Sequence, residues 1–270
     1  MMVQKSGSPV AFFLLCGALG VPIFIFAGVQ VFPNISLFNF GAFLPAATAL
    51  ILAYWKNRAA GVIELLRRSF DYKRIKSRIW YVPIFLLWPC IVLIQCGLAL
   101  VSGVPVSSPH FSPWMPLVIV ILFIAALCEE LGWMGYAFEP MQERFGALAA
   151  SILLGIIWAV IHIPLFAPSG ASPLWIMWQL IYIVATRVLF VWVYNNTGKS
   201  LFAVAIMHTL FNSVWQLFPP SQSLAGLSVP SFYDPAALAL TTIVLAVIFV
   251  GRSRRSTQIR YARRPEIGLR

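Results

Sequence analysis

Long apolar runs, broken by short polar segments, dominate the chain. Charges, Pro and Gly bound these runs. They predict helices at about 10–32, 40–55, 80–101, 114–138, 146–166, 173–195, 199–217 and 235–251, since a membrane span needs roughly 20 apolar residues. The second run is short. The first is too long for a signal-peptide core and lacks a small-residue cleavage site, so it reads as a retained helix. Pro164, late in the fifth run, is expected to loosen that helix. No internal repeat and no second domain stand out. The pattern predicts an all-α, polytopic membrane protein: one integral membrane domain over 1–270, with about eight transmembrane helices.

Composition sharpens this reading. Of 270 residues, 60% are hydrophobic and 10% are charged, against about 25% charged in soluble domains. A soluble enzyme, a disordered chain and a disulfide scaffold are excluded. Cys16, Cys90, Cys96 and Cys128 lie in apolar runs without metal spacing and read as small buried hydrophobes.

The net charge of +11 raises the question of nucleic acid, and its distribution answers it. Eight Lys and Arg fall between Lys56 and Arg78, and seven fall in a basic tail over 252–270. With eight spans, these segments share one side with Lys5, Arg144 and Lys199, which makes that side cytoplasmic. The outer loops, about 33–39, 102–113, 167–172 and 218–234, contain no Lys or Arg. The basic excess is therefore a topology signal facing anionic lipid, and no nucleic-acid partner is expected. An integral multi-pass protein of the plasma membrane follows, with both termini cytoplasmic. The segment Gly61–Phe70 reads equally as an interfacial amphipathic helix or a solvated connector. Asn34-Ile35-Ser36 fits an outer-side glycosylation sequon.

Ionisable groups inside spans are costly and mark functional candidates. The fourth span holds Glu129 and Glu130, the fifth His162, the sixth Arg187, and the seventh His208 and Asn212. His208 and Asn212, four apart, share a helix face. The adjacent glutamates diverge by about 100°, so only one can face a given partner. By helical rise, Glu129 and His208 lie roughly 14 Å from the cytoplasmic end and His162 roughly 24 Å, a mismatch that a tilted or offset fifth helix would close. A buried carboxylate can act as a general base on water, and a histidine can share the proton. A second histidine and an amide can donate to an oxyanion. Arg187 is a candidate counter-ion for one glutamate. Two histidines and one glutamate (His162, His208, Glu129) also form a possible zinc set. Each residue has a structural reading too: an intramembrane His or Asn often only bridges helices. His110 sits in an outer loop with no apparent partner.

Three motifs stand in order: Glu129-Glu130-Leu131-Gly132-Trp133-Met134, then Trp158-Ala159-Val160-Ile161-His162, then His208-Thr209-Leu210-Phe211-Asn212. Over about 120–217, read as a catalytic core, the chain resembles the CAAX prenyl protease 2 family, also called CPBP intramembrane proteases or type II CAAX endopeptidases. The family pattern is Glu-Glu-x-x-x-Arg, aromatic-x-x-x-His and His-x-x-x-Asn. Gly135-Tyr136 and Tyr194-Asn195-Asn196-Thr197-Gly198 are also similar to family members. The resemblance implies that Glu129 is the catalytic base assisted by His208, that His162 and Asn212 bind the oxyanion, and that Glu130 supports the site. It carries both a metalloprotease label and a metal-free mechanism; the metal-free one is preferred, with zinc as the alternative. Met134 stands where the family has Arg, and Arg187 is the candidate replacement.

The expectation is an intramembrane endopeptidase with a polar cavity among its helices. It would cleave near the C-terminus of a protein or peptide substrate, lipidated or not. The alternatives are a proton-coupled transporter, against which the lack of an internal repeat counts, and a catalytically silent immunity or scaffold protein, which Met134 favours.

Overall fold

In the computed structural model, residues 7–26, 29–32, 35–166, 171–218, 222–224 and 227–262 are described. Lys5, the sequon's Asn34 and the tail beyond residue 262 lie outside them. The helices are α1 (Pro9–Ile25), α2 (Leu44–Arg67), α3 (Tyr81–Val101), α4 (Met115–Gly132), α5 (Glu139–Phe145), α6 (Ala147–Val160), α7 (Ile163–Phe166), α8 (Pro173–Asn196), α9 (Leu201–Ser213) and α10 (Pro235–Ala262). The protein is an all-α, polytopic membrane protein. Three segments, Arg78–Val101, Met115–Phe145 and Pro173–Asn196, are long and apolar enough to cross a membrane. Outward faces are apolar, with Leu14, Leu93, Leu100 and Val247 exposed, as contact with lipid tails requires.

Local chemistry sets the helix starts. Ser8, Ser172 and Ser200 each cap a helix by accepting a backbone N–H three residues on, beginning α1, α8 and α9. Where helices meet closely, glycine makes the room. A Cβ on Gly132 would lie 2.5 Å from Pro45, where α4 crosses α2, and one on Gly155 would press on Val184 and Arg187, where α6 meets α8. Small residues at such crossings let backbones approach in membrane bundles.

Several features depart from the sequence reading. The first run ends its helix at Ile25, and Gln30–Phe32 then pairs antiparallel with Ile35–Ser36. A second short hairpin joins Gln222–Leu224 to Leu227–Val229. The second run continues as helix through Arg67 after a kink at Asn57–Arg58. The stretch after Gly61 is therefore helical to Arg67 and exposes Ile63, Leu66 and Phe70 while burying Leu65. The fourth run passes from α4 into a π-helix, Trp133–Phe138, and on into α5. The fifth run breaks at Ile161–His162, two residues before Pro164, whose ring cannot sit in an unbroken helix interior. The cysteines correct the reading of four buried thiols: all are free, Cys90 is exposed and the other three are half-buried. Their helices turn apolar surface outward, so an apolar run does not imply burial. His110 is tied through its backbone N–H, which donates to the Leu217 carbonyl.

Around α8 the bundle is densest. It packs against α6, α9 and α10. Trp88, Trp158, Arg187, Tyr182, Tyr194 and Phe190 are among its largest fully buried side chains. The one cation in that set lies at the candidate site.

Candidate active site

The angular divergence of adjacent helix positions separates the two glutamates. Glu130 turns toward α8 and α9. Arg187 Nη1 donates to both of its carboxylate oxygens, at 2.9 and 2.8 Å, and His208 Nδ1 lies 2.9 Å from Glu130 Oε1. Arg187 and Glu130 are both 0% exposed and His208 is 1% exposed. A charge so buried is tolerated only when paired and hydrogen-bonded. Arg187 Nε and Nη2 have no acceptor among the described residues. The guanidinium lies 4.1 Å over the Trp158 ring, so a cation–π contact takes the place of further hydrogen bonds.

Glu129 turns toward α6 and is half-buried. Its Oε2 accepts the Trp158 indole N–H at 3.0 Å. No hydrogen bond engages Oε1 among the described residues. Trp158 also holds His162: the Trp158 carbonyl is 2.6 Å from His162 Nδ1. A carbonyl only accepts, so Nδ1 carries the proton, and a neutral His162 offers Nε2 as a lone pair. The Trp158 ring meets the His162 ring at 5.4 Å and the His208 ring at 5.3 Å, both edge-on. The depth mismatch for His162 is therefore closed, because both histidines flank one indole. Asn212 sits one turn beyond His208 on α9, half-buried, and no side-chain hydrogen bond ties it to the described residues. The residue between them, Phe211, packs on Trp88 and Trp158.

Several sequence expectations meet this geometry directly. Arg187 is a counter-ion, and its partner is Glu130. Met134, in the family's arginine position, is 0% exposed in the hydrophobic core, so α8 supplies the cation instead. His208 was paired with Glu129 on the sequence; its hydrogen bond goes to Glu130, because the carboxylate on that side of α4 is the one facing α9. In the sequence Trp158 stands only as the aromatic position of the second motif. The signal for its role was available: an indole donor four residues before a histidine, hence on the same helix face. As for a metal, among the described residues no group of three His, Cys, Asp or Glu is placed to hold an ion.

A second polar cluster lies nine residues along the same rod. Arg68 donates from Nη1 to the Gly135 carbonyl of the π-helix at 2.8 Å, and from Nη2 to Glu139 Oε1 at 2.9 Å and to the Tyr194 hydroxyl at 2.6 Å. Tyr194 donates to Glu139 Oε1 at 2.5 Å, and Lys199 Nζ to Glu139 Oε2 at 3.0 Å. Beside it, Asp71 accepts from Ser200 Oγ and the backbone N–H groups of Leu201 and Phe202. This caps α9, the helix that carries His208, from a remote segment. Gly198 joins α8 to α9 at φ +68 with the Arg74 carbonyl pressed close, which only glycine accommodates without strain. A cavity of about 170 Å³ opens here beside Lys56, Asn57, Glu64, Arg68, Tyr136 and Glu139.

Residues 111–214 match the family described as type II CAAX prenyl endopeptidase Rce1-like. The chain is 31% identical over 175 residues to CAAX prenyl protease 2 of Methanococcus maripaludis, covering 59% of this chain and 64% of that protein. It is 26% identical over 179 residues to a Protein TsgA homolog of Erwinia tasmaniensis, covering 62% of this chain and 40% of that protein. The chain thus spans less than two thirds of the length of either relative.

Proposed function

We propose that the protein is an intramembrane endopeptidase of the kind whose family model, type II CAAX prenyl endopeptidase Rce1-like, residues 111–214 match, hydrolysing a peptide bond near the C-terminus of a membrane-associated substrate. The observation that carries this reading is the division of labour between the glutamates. Glu130 is locked by Arg187 and His208, whereas Glu129 shares Trp158 with His162 and keeps one carboxylate oxygen unengaged among the described residues.

A water held between Glu129 Oε1 and His162 Nε2 is the nucleophile. Glu129 takes its proton as the oxygen attacks the scissile carbonyl carbon. The developing oxyanion is received by the Asn212 amide N–H and by His208, which donates from Nε2 when its ring is doubly protonated with Glu130 as counter-ion. When the carbon–nitrogen bond breaks, the proton on Glu129 passes to the leaving amine. This places His162 with the water and His208 with the oxyanion, the reverse of what the resemblance implied. The Trp158 carbonyl supports this exchange, because it leaves neutral His162 an acceptor. The mechanism needs no metal; zinc remains the alternative that elemental analysis decides.

The distribution of Lys and Arg supports a reading with both termini in the cytoplasm and the site opening toward that side of the plasma membrane. A lipidated peptide is the expected substrate, reaching the site laterally from the bilayer. Arg187 answers the argument for a silent scaffold, since the missing Arg at Met134 does not leave the Glu pair without a cation. Full-length protein in liposomes, given farnesylated and unmodified C-terminal peptides, tests the proposal. Cleavage is expected from wild type and is expected to be lost in Glu129→Ala and His162→Ala. Equal cleavage by all three would refute it, and Glu129-dependent proton flux without cleavage would favour a transporter.

A further inference from the structure

Trp158 touches Glu129, His162, Arg187 and His208, and the mechanism above uses only its backbone carbonyl. Its indole N–H donates to Glu129 Oε2 at 3.0 Å, its carbonyl holds His162 Nδ1 at 2.6 Å, and its ring lies 4.1 Å under the Arg187 guanidinium and edge-on to His208. It is 1% exposed and packs between Phe190 and Phe211, so its rotamer is fixed by apolar contacts independent of the polar ones.

We infer that Trp158 is the positioning residue of the water-activating pair: one residue sets the carboxylate of Glu129 and the tautomer of His162 together. The argument is geometric. A glutamate side chain in an α-helix has three rotatable bonds and, with one oxygen unengaged, little else to hold it. The indole N–H fixes Oε2, which determines where Oε1 points. The backbone carbonyl of the same residue determines which ring nitrogen of His162 is bare. Both anchors belong to a single residue of α6, so Trp158 ties the carboxylate of the base and the ring of the histidine to one point. The ring face meanwhile stabilises the cation that neutralises Glu130, so the two glutamates are separated by the two chemistries of one side chain: N–H to the working carboxylate, π face to the counter-ion of the other. An aromatic ring without a donor would keep the second task and lose the first.

The inference rests on the reading of Glu129 as the base, and its test separates the two. Trp158→Phe keeps the ring and the backbone carbonyl and removes only the N–H. The expected result is a kcat lower by about 10-fold, the worth of one hydrogen bond to a charged group, with KM changed less than about 2-fold, since uniform substrate binding is untouched. Independently, the indole N–H resonance of Trp158, assigned by its loss in Trp158→Phe, should shift toward a free indole in Glu129→Ala while the other indoles stay put. Wild-type kcat in Trp158→Phe, or a Trp158 resonance indifferent to Glu129→Ala, overturns the positioning role even though Glu129→Ala is inactive. Activity retained in Glu129→Ala instead overturns the base assignment. If Trp158→Phe fails to fold, the comparison of wild type with Glu129→Ala decides alone: a single indole N–H resonance should move, and none moving overturns the role.

Discussion

The rod that runs from α4 through the π-helix to α5 carries two glutamates that meet arginine, and they are held in opposite ways. Glu130 meets Arg187 and His208 with 0% exposure at both ends of the ion pair. Glu139 meets Arg68, Tyr194 and Lys199 where the Arg68 and Glu139 side chains are 18% and 29% exposed. The partners are similar in kind: a guanidinium from another element and a second donor to the same oxygen. The surroundings are not. Deep in the bundle the desolvation of both charges must be offset, and a buried pair of this kind is weak evidence of stability and better evidence of a role. At the basic end, water shares the load, and the arginine spends one donor on the Gly135 carbonyl of the π-helix. Segments of π-helix occur most often near functional sites, and this one begins three residues after Glu130. The inner cluster thus fixes chemistry, and the outer one fixes the helix that presents it.

The largest effect that would sharpen this contrast comes from Arg187→Met. Leaving Glu130 buried and unpaired should destabilise the protein by about 3–5 kcal/mol, read as a fall in unfolding midpoint in detergent. Replacing both partners, Arg187→Met with Glu130→Met, should restore most of that stability without restoring cleavage; equal damage in the single and double variants would show that the pair is not coupled. Arg68→Ala should cost less, about 1–2 kcal/mol after allowance for its partial exposure, with faster hydrogen exchange through Trp133–Phe138. Exchange unchanged there would break the link between the outer cluster and the π-helix. Asp71→Ala should cost about 1 kcal/mol by uncapping α9, and its mark should be confined to the amides of Leu201 and Phe202. Protection retained at those amides would show that Asp71 does not cap the helix.

Much of this was legible in the sequence. Apolar runs gave the long helices because lipid and core demand the same composition from them. Pro164 announced the break at His162, and three motifs named Glu129, Glu130, His162, His208 and Asn212. What stayed hidden depended on contacts between helices. Nothing local says that Arg187 faces Glu130 and not Glu129, since one residue of rotation decides it. The π-helix follows no apolar periodicity, and its Gly135 carbonyl finds Arg68 from 67 positions away. The kink at Asn57–Arg58 sits in a basic stretch that reads as the end of a span, so a helix after Gly61 is one of two readings and its junction with the second run is hidden. Trp158 is legible only as a motif position, because its indole partner lies on another helix.

The central claim is that Glu129 reacts and Glu130 supports. Single-turnover cleavage by folded Glu129→Gln and Glu130→Gln, measured side by side in liposomes with a farnesylated peptide, tests it most directly. The account predicts a loss of about 1,000-fold or more for Glu129→Gln at near-normal stability, consistent with removal of a general base. For Glu130→Gln it predicts a loss of about 10-fold with a clear drop in unfolding midpoint. The opposite ranking, with Glu130→Gln inactive and Glu129→Gln active, would contradict it.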